Sequence, residues 1–120
     1  GGAVASRFVR ESGVGVSGLV LIGTSHPRDF SLADSNLQVI KILGTRDGIA
    51  PIEKSEKNRH LLPASSRWVF IEGGNHSQFG SYGFQPWDHF ATIERNRQQK
   101  ITRNVILDAL QSAARLNAPN

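Results

Sequence analysis

Two short segments carry residue types that can act together as a proton-transfer pair. One is Gly44-Thr45-Arg46-Asp47-Gly48; the other is Gly73-Gly74-Asn75-His76-Ser77. A carboxylate beside an imidazole orients the ring, fixes its tautomer and stabilises the imidazolium. The imidazole can then take the proton of a hydroxyl nucleophile. Asp47 and His76 fit those two roles. Each has glycine nearby, which permits tight turns and close backbone approach. Each follows an apolar run by a few positions. If those runs are neighbouring parallel strands, about 5 Å apart, the carboxylate reaches the ring without strain. The pair alone is a weak signal. Asp-Gly is a common turn pair, and a histidine in such a loop can equally cap the next segment or bond a backbone carbonyl.

The elements that would hold these loops follow from patterning. Residues 3–12 read as a helix, with Ala3, Val4, Phe8 and Val9 as its apolar positions and Gly13 and Gly15 ending it. Val16–Ile22 is a nearly continuous apolar run, which suits a strand of a parallel sheet. Leu37–Leu43 is a second strand candidate and Arg67–Ile71 a third. Between them, Pro51 opens a helix that runs through Leu62 and closes at Pro63. Residues 73–90 form a long loop whose aromatic content argues for order. Ile101, Val105, Ile106, Leu110, Ala113 and Ala114 lie on one stripe of a C-terminal amphipathic helix. Alternation of this kind predicts an α/β fold with about three parallel strands flanked by helices. The strands then share one carboxyl edge, where such sheets bind ligands.

Composition narrows the class. The 120 residues, 38% hydrophobic and 20% charged, suit one soluble globular domain. No apolar run approaches the roughly 20 residues of a membrane span. The net charge of +4 raises the question of nucleic acid. The densest basic stretch, Arg95, Arg97, Lys100 and Arg103 near Glu94, reads instead as a solvated helix face, and no nucleic-acid-binding signature appears. With no cysteine, disulfides, zinc–thiolate sites and thiol catalysis are excluded within the chain. The absence of methionine points to a trimmed or truncated chain.

Longer stretches add a family likeness. VSGLVLIGTSHP, IKILGTRDGIAP, KNRHLLPASSRWVFIEGGNHSQFGSYGFQP and the ATIERNRQQ segment cover most of residues 1–103. Together they resemble the C-terminal half of a bacterial α/β-hydrolase family related to dienelactone-hydrolase-like and esterase-like enzymes. The order Asp then His, on successive strand-end loops, matches the family's order of nucleophile, acid and base. The resemblance implies that Asp47 is the acid and His76 the base of a Ser-His-Asp triad. The family's nucleophile elbow reads G-H-S-x-G-G, and Gly1-Gly2 resembles its last two glycines. The serine would then lie two residues before Gly1. Residues 1–120 would be the C-terminal portion of a single hydrolase domain, and alone it should be inactive. Trp87 departs from the pattern, standing where the family's QPGD-like segment has glycine.

The substrate implied is a small carboxylic ester or related acyl compound, with no cofactor and no metal. His26, Gln78, Phe79 and Tyr82 are candidates to line its pocket, although packing of the loops explains each as well. His60 sits at a helix end, where a cation suits the helix dipole. Asp88 and His89 could suggest a metal pair but lack a third ligand at suitable spacing. Ser77 and Ser81 are the hydroxyls nearest His76 in sequence, and neither sits on a strand-to-helix elbow. Two other readings stay open: a non-catalytic pseudo-hydrolase or binding domain of the same fold, and a basic interaction domain built on residues 95–103.

Overall fold

The structure is a computed structural model that describes residues 2, 5–7, 17–80 and 83–116, with side chains as far as Ala113. The helix expected at residues 3–12 lies largely outside the described residues, as do Val16, Ser81 and Tyr82; residues 5–7 are helical. Strands β1 (Gly18–Ile22), β2 (Gln38–Gly44) and β3 (Arg67–Ile71) form a sheet in the order β1-β2-β3. Both pairings are parallel, with Ile22 opposite Ile42 and Leu43 opposite Phe70. The three carboxyl ends therefore share one edge, and the loops bearing Asp47 and His76 leave from it.

Strand β2 lies between its neighbours, and alternate residues serve two cores. On one face Val39 joins Leu21, Leu32, Leu37 and Leu62, with Trp68 and Phe30 packed alongside. On the other, Ile42 and Ile71 meet Val105, bordered by Val20, Ile101 and Ile106. The residues of the second face come partly from helix α2 (Arg95–Leu116), so the amphipathic helix covers the face its stripe predicts. Leu110 departs from that stripe and is exposed. The architecture is an α/β arrangement of three parallel strands flanked by helices.

The helix expected over residues 51–62 is shorter. Helix α1 spans Ile52–Lys57, and Arg59–Leu61 form a separate 3-10 turn. Asn58 interrupts the two, and its side-chain amide donates to the Ser25 carbonyl at 3.0 Å. Leu62 is extended, as a residue preceding proline prefers. Lys41 is the unexpected core member. It is fully buried in β2, its Nζ donates to the His26 carbonyl at 2.7 Å, and it lies 5.5 Å from the centroid of the Trp68 ring. Burial, together with the nearby Arg28 charge, lowers its pKa to about 8.

Candidate active site

Backbone bonds join the acid and base loops before any side chain does. The Thr45 N–H donates to the Ile71 carbonyl at 3.1 Å, and the Arg46 N–H to the Gly74 carbonyl at 2.8 Å. The Gly73 N–H donates to Thr45 Oγ1 at 2.8 Å. These bonds extend the β2–β3 pairing past the strand ends, so both loops start from a shared frame.

Asp47 divides its carboxylate between two tasks. Oδ1 accepts the Ile49 N–H at 2.9 Å and the Ala50 N–H at 2.6 Å. This is the local bonding that makes aspartate a turn former. Oδ2 faces His76 Nδ1 at 3.0 Å. A carboxylate only accepts, so Nδ1 carries the shared proton. The Asp47 side chain is 0% exposed and that of His76 22% exposed. The hydrogen bond that His76 donates to Asp47 raises the His76 pKa above 6.5. Burial opposes the rise, and the negative charges of Asp47 and Asp88 add to it.

Contacts from β1 and α2 fix the ring and its loop. Gly23 follows β1 at φ +60°; a Cβ there would stand 3.0 Å from the Phe79 ring and 3.4 Å from His76 Nδ1. Glycine therefore supplies the left-handed backbone and the space for the Phe79 ring, while the imidazole lies at ordinary contact distance. From α2, the fully buried Gln98 binds the main chain of Asn75 at both ends. Its Oε1 accepts the Asn75 N–H at 3.2 Å, and its Nε2 donates to the Asn75 carbonyl at 2.8 Å. Gln99 Nε2 donates to the carbonyls of Gln78 and Gly80. A helix face that reads as solvated thus turns two glutamines onto the histidine loop.

The candidate pocket residues fall in different surroundings. Gln78 donates its side-chain amide to the Ile93 carbonyl at 3.0 Å and to Gln98 Oε1 at 2.9 Å, bracing the loop. Phe79 packs on the second core and borders a cleft with Ile22, Thr102 and Ile106. His26 lies in the loop after β1. Its N–H donates to Thr24 Oγ1 at 3.2 Å, and its carbonyl receives Lys41. Burial lowers its pKa below 6.5, helped by the Arg28 and Lys41 charges and opposed by Asp29. Tyr82 is outside the described residues. The Ser77 hydroxyl donates to Asp88 Oδ2 at 2.7 Å and accepts the Gln85 N–H at 2.8 Å, so both its functions are engaged.

Sequence reasoning weighed Asp88 only as half of a metal pair with His89; the structure places it between the two loops, where it bonds the main chain of each. The one available signal was its place in the QPGD-like segment. Among the described residues no group of three or more His, Asp or Glu side chains is arranged to hold a metal ion, and no helix is long and apolar enough to cross a membrane.

The geometry can therefore hold a neutral imidazole in one tautomer, with its charged form stabilised by a buried carboxylate. The protein-family model described as the alpha/beta hydrolase family matches residues 1–100. No curated protein and no solved structure matches the chain. Since that match takes in well over half of the 120 residues, the chain belongs to the alpha/beta hydrolase family.

Proposed function

We propose that this chain supplies the acid and the base of a Ser-His-Asp triad that hydrolyses carboxylic esters or related acyl compounds, in the manner of esterase-like and dienelactone-hydrolase-like enzymes. The observation that carries the reading is the 3.0 Å contact between Asp47 Oδ2 and His76 Nδ1. With Nδ1 committed to the carboxylate, Nε2 is the ring nitrogen that receives a proton. A serine hydroxyl attacks the substrate carbonyl as Nε2 removes its proton. The same proton passes to the leaving oxygen, and an acyl-serine remains. Water then attacks the acyl-serine by the same route, releasing the acid and restoring the serine. The imidazolium formed in each half lies against Asp47, which stabilises it where charge develops.

The nucleophile in this reading is a serine two residues ahead of Gly1, and the oxyanion is held by backbone N–H groups of the same upstream region. Within the described loops Ser77 is bound to Asp88 and Gln85 and is not free to attack. The test is expression of the chain with its upstream coding sequence. That protein should hydrolyse an activated ester and be labelled at serine by a phosphonate, and His76→Ala should abolish turnover. The 120-residue chain alone should show no turnover above its own His76→Ala variant. Lack of both turnover and labelling in the longer protein would favour a non-catalytic domain of the same fold.

A further inference from the structure

We propose that Asp88 is a positioning residue for the Asp47–His76 pair: its buried carboxylate ties the main chain of the acid loop to the main chain of the base loop. The proposal rests on the acid–base reading above and adds how that pair keeps its distance.

Asp88 accepts five hydrogen bonds. Oδ1 takes the Gly48 N–H at 2.9 Å, the His89 N–H at 2.9 Å and the His76 N–H at 3.3 Å. Oδ2 takes the Ser77 N–H at 2.8 Å and the Ser77 hydroxyl at 2.7 Å. Gly48 is the residue after the acid, and His76 is the base. One oxygen atom therefore binds the backbone of both loops, while Asp47 and His76 meet through their side chains. The three groups close a ring: Asp47 to His76 by side chains, His76 to Asp88, and Asp88 back to the acid loop at Gly48.

The neighbouring chain is shaped to deliver this carboxylate. A Cβ on Gly48 would strike the Trp87 carbonyl and stand 3.0 Å from Asp88 Cα, so only glycine lets the segments touch. Trp87 adopts φ +74°, a left-handed conformation that a bulky residue rarely takes. Its ring points away, 90% exposed. The backbone thus accepts an unfavourable turn at residue 87 while residue 88 faces inward. Burial pushes the Asp88 pKa up, but the bonds from Gly48, Ser77 and His89 outweigh it and hold the pKa below 3.8. The group stays ionised, and among the described residues the charges that act on His76 are those of Asp47, which bonds the ring, and Asp88, which bonds its main-chain N–H.

An amide cannot replace it. Asparagine offers one acceptor oxygen and two N–H donors. Whichever way it turns, its N–H donors confront either the Gly48, His76 and His89 amides or the Ser77 amide. NMR on the protein expressed with its upstream coding sequence tests this. In Asp88→Asn the Gly48 and Ser77 amides should exchange with solvent about tenfold faster or more, and the His76 pKa should shift down. Ser77→Ala keeps the carboxylate and its bonds to Gly48 and His76, so it should leave the Gly48 amide and the His76 pKa unchanged. Unchanged Gly48 exchange and His76 pKa in Asp88→Asn would overturn the proposal. Equal effects in the two variants would also overturn it, because they would come from general loosening of the loop.

If Asp88→Asn does not fold, the unaltered chain supplies the answer. On acidification the amide protons of Gly48, Ser77 and His89 should move together with one midpoint below 3.8; separate midpoints would overturn the proposal. Asp47→Asn separates this idea from the acid–base reading. If it leaves the His76 pKa unchanged while Asp88→Asn lowers it, the acid–base reading fails and the Asp88 tie stands. The converse result removes Asp88 alone.

Discussion

Asp47 meets His76 across adjacent parallel strands with one carboxylate oxygen, at 3.0 Å, while its other oxygen holds its own loop through the Ile49 and Ala50 amides. The turn-forming and imidazole-orienting roles are thus two halves of one side chain. The local bonds fix the direction in which the second oxygen points. Asp47→Asn keeps an oxygen for the two amides but loses the charge beside the ring.

That substitution has a pH signature in stability. The folded pKa of His76 is raised by Asp47. The stabilisation this brings is fully present below the unfolded value of about 6.5 and is lost as pH rises through the folded value. Urea unfolding should show the wild type exceeding Asp47→Asn by most below pH 6, with the gap narrowing as pH rises past the folded value. A gap independent of pH would mean that the imidazole gains nothing from Asp47.

Lys41 gives the opposite slope. Its folded pKa is lowered from 10.5 to about 8 by burial, so the fold carries a penalty for its charge. The penalty is present below pH 8 and disappears as pH rises towards 10.5, because the unfolded chain holds the proton longer. Relative to Lys41→Met, the wild type should gain about 3 kcal/mol over that interval. The lost bond to the His26 carbonyl shifts all values of the variant equally and does not affect the slope. Parallel stability curves would contradict a buried amine.

Trp87→Gly should stabilise the fold by about 1 kcal/mol, since φ +74° costs a bulky residue about that much and the exposed ring contributes little packing. Trp87→Ala keeps the Cβ and should give no such gain. Thermal unfolding of the two variants decides the point. Equal melting temperatures would place the strain elsewhere.

Gln98→Leu removes the partner of the Asn75 N–H and carbonyl inside the fold. Leaving these groups buried and unpaired should cost about 2–3 kcal/mol in urea unfolding, with amide exchange quickening first at residues 75–78. A loss below about 0.5 kcal/mol would show that water replaces the amide there.

Much of this was legible from residue order. The three strands announce themselves by apolar runs, and Asp47 and His76 by following those runs in glycine-bearing loops. Trp87 stands where the resembled family has glycine, and among the described residues it is the non-glycine with positive φ. What stayed hidden depends on contacts distant in sequence. Asp88 works by accepting amides up to 40 residues away, which leaves no periodic trace. Gln98 and Gln99 sit in sequence among Arg95, Arg97, Lys100 and Arg103, which read as a solvated face, yet they face the histidine loop. Lys41 interrupts an apolar strand, and only the fold reveals the carbonyl and aromatic ring that receive it. Asn58 ends α1 through a bond to a loop that follows a different strand.

The most direct measurement is the NMR titration of the His76 ring nitrogens in the wild type and in Asp47→Asn. The neutral wild-type ring should be protonated at Nδ1, with a pKa above 6.5 that falls when Asp47 is replaced. A ring protonated at Nε2 when neutral, or a pKa that Asp47→Asn leaves unchanged, would contradict the Asp47–His76 pairing.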